Sequence, residues 1–73
     1  MATTFHQEDP AERMHRLYFT YDHLPERLQS VSAHFYSLGK LLLGQVESGP
    51  ERTTGMRKLM EAKDCMVRAA LDA

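Results

Sequence analysis

The sequence predicts an all-α protein: an antiparallel two-helix hairpin with a short N-terminal aromatic segment, assembling as a helical oligomer. Three observations carry that expectation. Two long stretches, one from near Pro25 and one from about Pro50 to Leu71, repeat apolar residues at helical spacing. The link between them, Glu47-Ser48-Gly49, is so short that it makes the two helices antiparallel neighbours. Finally, a chain of 73 residues is near the lower limit for burying an adequate core. Two helices of that length leave one apolar stripe uncovered, and a single cysteine, Cys65, rules out an intrachain disulfide to compensate. Self-association is then the main remaining source of burial.

Residues 1–13 read as an N-terminal arm and residues 14–73 as the helical-hairpin domain. The arm is polar, contains Pro10 and shows no sustained period, with Phe5 as the residue that packs on a neighbour. From Met14 to Leu24 the character changes: Leu17, Phe19 and Tyr21 alternate with Tyr18, Thr20 and Asp22. A lone strand would have no partner here, so the expectation is an extended or single-turn segment lying on the helix pair.

The first long helix begins near Pro25, with Asp22 or Leu24 at the boundary and Glu26 in the first turn. Its stripe is Leu28, Val31, Phe35, Leu38 and Leu42, widened by Leu41, Leu43 and Val46. Gly39 marks a close helix approach and Gly44 a fraying end. The second helix carries Met56, Leu59, Met60, Ala62, Met66, Val67, Ala70 and Leu71. On it Gly55, Ala62 and Ala69 recur at heptad spacing and would line a close-packed seam. Cys65 sits within this pattern as a small buried apolar residue rather than a nucleophile.

Composition narrows the function classes. The apolar fraction, 42%, is that of an ordinary soluble protein, and the longest apolar run, Leu41-Leu42-Leu43, is far too short for a membrane span. Met1-Ala2-Thr3-Thr4 lacks the basic start and apolar stretch of a signal peptide, so the expected compartment is reducing and cytoplasmic. The net charge of -1 does not mark a duplex nucleic-acid binder. Residues 1–50 carry four Lys/Arg against six Asp/Glu, and residues 51–73 carry five against four. That asymmetry favours a local anion site over a broad basic surface.

Such a site is suggested at Ser48-Gly49-Pro50-Glu51-Arg52-Thr53-Thr54. This is a helix start, with a Ser-x-x-Glu capping box and Pro in the first turn. It sets Arg52 and two hydroxyls beside backbone N–H groups that lack intrahelical partners, where the positive dipole end favours phosphate. A plain cap is the structural alternative. His6, His15, His23 and His34 show no metal-ligand spacing, and no catalytic constellation or Gly-rich phosphate loop is present. Neither enzymatic activity nor a metal or cofactor is expected.

The aromatic run Tyr18-Phe19-Thr20-Tyr21 either covers the open end of the hairpin or offers Tyr21 as a stacking platform for a base. In the second case His23 and the rigid Leu24-Pro25 step position the ring. On the second helix Arg52, Lys58 and Arg68 can pair with Glu51, Glu61 and Asp64 as a solvated face. Lys63 lies between Met60 and Val67 on the apolar side, so it is expected to reach out along a protomer boundary, where a cation either snorkels or meets an anion.

Residues 17–71 carry a family likeness. Phe19-Thr20-Tyr21-Asp22-His23-Leu24-Pro25, a helix, then Gly49-Pro50-Glu51-Arg52-Thr53 and Lys58-Leu59-Met60-Glu61-Ala62-Lys63-Asp64 resemble small phage-encoded helical-hairpin proteins. That group includes the anti-CBASS cyclic-oligonucleotide sponges, with a related domain in Thoeris anti-defence sponges. The resemblance implies a homo-oligomer, often a hexamer, that sequesters cyclic nucleotides made by bacterial immune enzymes without cleaving them. It assigns base stacking to Tyr21 and phosphate contacts to Arg52, Thr53 and Lys58. Here Asp22 separates Tyr21 from His23, where the family's Tyr-His pair is adjacent. The expected partners are cyclic oligonucleotides and further copies of the chain. A rival from another class is a small phage structural or adaptor protein acting through helical oligomerisation.

Overall fold

Asp9 starts the first helix. Its carboxylate accepts the Glu12 backbone N–H at 2.9 Å, and the Glu12 carboxylate accepts the Asp9 N–H at 3.1 Å. With Pro10 at the first helical position, this is a complete capping box. The computed structural model describes residues 8–72 and contains three helices, α1 (Pro10–Tyr18), α2 (Glu26–Gln45) and α3 (Pro50–Asp72). Every regular element among the described residues is helical, as the fold class requires. The two-helix hairpin is corrected to three helices, because α1 forms across residues expected to be arm and aromatic segment. Phe5 and His6 lie outside the described residues.

The alternation from Leu17 to Asp22 misleads because α1 buries only a narrow face. Ala11, His15 and Phe19 recur every four residues and are all buried, while Leu17 and Tyr18 point outward. A histidine in the middle of that face hides its helical period. The Phe19 N–H closes the helix on His15 O at 3.1 Å.

Pro25 precedes α2 in extended backbone (φ -54, ψ 146) and offers no side-chain cap. Instead the Gln29 amide donates to Leu24 O at 2.9 Å. The buried face of α2 is Leu28, Ser32 and Gly39, flanked by half-buried Phe35, Tyr36 and Leu43. That face is turned by about one residue from the expected stripe, so Leu38 and Leu41 are exposed. Gly39 is the expected close approach: a Cβ there would lie 2.7 Å from His15 Cδ2.

The third helix begins at Pro50, so Ser48 stands one residue too early to cap it. The Thr53 N–H and Oγ1 both donate to Gly49 O, at 3.1 and 3.2 Å. The inward face of α3 centres on Met56 and Lys63. The seam expected along Gly55, Ala62 and Ala69 meets solvent, and Cys65 is exposed, receiving only a long contact from Arg68. Cys65 is therefore not the buried apolar residue its pattern suggested.

Each helix ends on a cation from another helix. Lys63 of α3 donates to Tyr18 O at the end of α1. Arg52 of α3 donates to Leu43 O at 3.1 Å and Val46 O at 2.8 Å, closing α2. Arg27 of α2 donates to Ala70 O at 3.1 Å near the end of α3. Carbonyls without intrahelical partners and the negative dipole end are thus satisfied together. Ala11, Phe19 and Met56 form the core cluster, with Met14, Phe35, Tyr36, Leu43, Leu59 and Met60 packed on it. Among the described residues no helix is long and apolar enough to cross a membrane.

Candidate functional site

Arg52 stands at the junction of all three helices. Besides closing α2, its Nη2 donates to the Asp9 carboxylate at the start of α1. The side chain is 9% exposed, and its Nε is buried without a hydrogen-bond partner. Asp9 also accepts the Glu12 backbone N–H at the start of α1. Its carboxyl is held below the ordinary carboxylate range, first by the Glu12 backbone N–H and then by Arg52 and Ser48, while burial works in the opposite direction. Backbone N–H and guanidinium thus converge on one carboxylate.

Below Arg52 runs a groove of about 520 Å³ between the end of α2 and the first half of α3. Leu42, Val46, Gly55, Met56, Leu59 and Ala62 line it, with Glu51, Arg52 and the exposed Lys58 as its charged residues. Gly55 contributes open space, since a Cβ there would meet nothing within 4 Å. An apolar lining beside cations suits either the face of a base or the apolar side of a helix.

A smaller cleft of about 310 Å³ opens where the α1–α2 connection crosses α3. His23, Lys63, Asp64 and Arg68 share it with Tyr18 and Thr20. Lys63 does not reach outward as its pattern predicts: it is buried. Its ammonium is turned onto Tyr18 O, lies 3.3 Å from Asp64 and sits 5.6 Å from the centre of the Phe19 ring. Asp64 therefore pairs with Lys63 rather than with Arg68.

Tyr21 borders neither cavity. It is half-buried and meets Tyr36 edge-on, with ring centres 5.7 Å apart. Tyr36 in turn packs on His15 at 4.6 Å, and His15 stacks on Phe19 at 4.9 Å. His15 Nε2 donates to Tyr36 O at 2.8 Å, so that nitrogen carries a proton. His23 and Pro25 are exposed, and Thr53 is half-buried with its hydroxyl turned back on Gly49.

Within one chain, then, Arg52 and Lys58 share the groove, His23 and Lys63 share the cleft, and Tyr21 stands apart. Sequence reasoning passed over Asp9, Tyr36 and Arg27. The string Asp9-Pro10-Ala11-Glu12 is itself a start signal and would have located Asp9. No local pattern points to Arg27, whose carbonyl partner is 43 residues away. Among the described residues no three His, Cys, Asp or Glu side chains gather to hold a metal ion. The chain matches no protein-family model, no curated protein and no solved structure.

Proposed function

We propose that the chain is a phage anti-defence sponge, an oligomer that binds cyclic di- or trinucleotide immune signals without cleaving them and so blunts host CBASS-type signalling. The observation that carries this proposal is the α2–α3 groove, an apolar cavity of about 520 Å³ with Arg52 and Lys58 among its lining residues. An apolar wall takes the flat face of a base, and Arg52 in the first turn of α3, with Lys58 further along it, favours the phosphates. A cyclic di- or trinucleotide presents two or three bases and phosphates around a symmetric ring, so equivalent sites in a homo-oligomer match it. Because Tyr21 and His23 lie away from the groove in one chain, the proposal requires the stacking ring and the cations to meet across a subunit boundary. Cytoplasmic residence in the infected host follows from the location of those signals.

The deciding experiment is thermal unfolding of the intact protein with a panel of cyclic dinucleotides and trinucleotides. A ligand at 100 times its dissociation constant adds about 2.7 kcal/mol per site. No shift with any member of the panel removes the sponge. The second proposal is then a small phage structural or adaptor protein acting through helical oligomerisation. One specific observation favours that alternative: Arg52 and Lys63 both direct donors to carbonyls that close neighbouring helices.

A further inference from the structure

The Asp9 carboxylate sits in an arrangement suited to a different anion. Its oxygens take a backbone N–H at the start of α1 and the Arg52 guanidinium. This donor set is the kind that recognises a phosphate. Arg52 is otherwise almost enclosed, with Nη1 shared between Leu43 O and Val46 O and a buried, unpartnered Nε. The guanidinium therefore has one external-type partner, and that partner is supplied by the chain itself. Arg52 itself belongs to the first turn of α3, whose positive dipole end favours negative charge.

We propose that Asp9 is an intramolecular competitor for a phosphate at the α3 start: its carboxylate closes the Arg52 site, and a phosphate enters by displacing it. The proposal rests on the sponge function and adds its regulation. Binding is coupled to α1, because the carboxylate that leaves Arg52 is also the cap of that helix. Affinity for the anion is then reduced by the fraction of molecules in which Asp9 holds Arg52.

The test is titration of inorganic pyrophosphate into the ¹⁵N-labelled full chain at fixed ionic strength, observing the Arg52 Nε–Hε resonance. Asp9→Asn keeps a side-chain acceptor for the helix cap and removes the competing charge. Glu12 is left in place. If one molecule in ten is open in the native protein, the variant binds about tenfold more tightly. The Arg52 signal should move in the same titration. Equal affinity in the two proteins, no binding by the variant, or tighter binding with the Arg52 signal unmoved would each overturn the proposal.

Asp9→Ser, another good cap, serves if circular dichroism shows α1 lost in the first variant. The cyclic-nucleotide panel is run on the same two proteins. Pyrophosphate gain without cyclic-nucleotide binding keeps the competitor and removes the sponge. Cyclic-nucleotide binding at identical affinity in both keeps the sponge and removes the competitor.

Discussion

A methyl group at Gly39 would stand 2.7 Å from His15 Cδ2 and 3.2 Å from its Nε2, with Met56 Sδ at 3.5 Å. The imidazole has little room to yield, since Nε2 is bonded to Tyr36 O and the ring lies between Phe19 and Tyr36. Gly39→Ala gains about 1 kcal/mol of helix propensity. Overpacking of this kind costs about 1–3 kcal/mol. The expected result in urea unfolding is net destabilisation. In a His15→Ala background the same change should become stabilising, and equal effects in both backgrounds would show that the ring is not the obstacle. Asp9 gives the residue-scale pH dependence. Its folded pKa is depressed below 3.8, so its contribution is fully present above that value and is lost as pH falls through the folded pKa. Unfolding midpoints followed from pH 5 downward should therefore decline less steeply for Asp9→Asn than for the native protein.

At the scale of elements, Arg52 joins α1, α2 and α3 through its contacts with Asp9, Leu43 and Val46. Hydrogen bonds to charged groups contribute about 1.5–3 kcal/mol, so Arg52→Met should destabilise the chain by that order. Amide exchange should accelerate first in Glu12–Tyr18, because the cap residue of α1 loses its tie to α3. Exchange that rises uniformly would place Arg52 outside the α1 attachment. This junction also separates what was legible in the sequence from what was not. The starts of α2 and α3 follow from Pro25 and Pro50, and Gly39 announces its close approach, because each rests on local backbone chemistry. Helix α1 was obscured by His15 at the centre of its buried face. The face of α2 was misread by one residue, since Ser32 and Gly39 turn inward where Leu38 does not. Periodicity weighs hydrophobicity alone, whereas this packing is set by a ring against a glycine. Arg52 stands out in the sequence as a cation at a helix start, but its partners Leu43 O, Val46 O and Asp9 depend on a fold that brings separate segments together.

For the whole molecule the deciding quantity is apolar surface. Ala11, Phe19, Leu28 and Met56 are the buried hydrophobic residues among those described, while Leu38, Leu41, Val46, Met66 and Leu71 are each more than 40% exposed. The radius of gyration is 14.0 Å, against about 11 Å expected for a globular chain of this length. An elongated body, 54 × 24 × 15 Å, covers little of its own surface. A net charge of -1 offers weak electrostatic resistance to association. These features support the proposed homo-oligomer, with the α2–α3 groove as part of the contact. Ala62 is the position to probe, because it lines that groove, is exposed in the single chain and contributes nothing to the core cluster. Ala62→Glu places a charge where a second copy would bury it, and an unpaired charge in an interface is strongly unfavourable. Sedimentation velocity should show the native chain as an oligomer and the variant as a monomer with the same helical circular dichroism. A native monomer across micromolar to millimolar concentration would remove self-association altogether. An unchanged oligomer in the variant would move the interface off the groove and onto the outer row of Leu38 and Leu41.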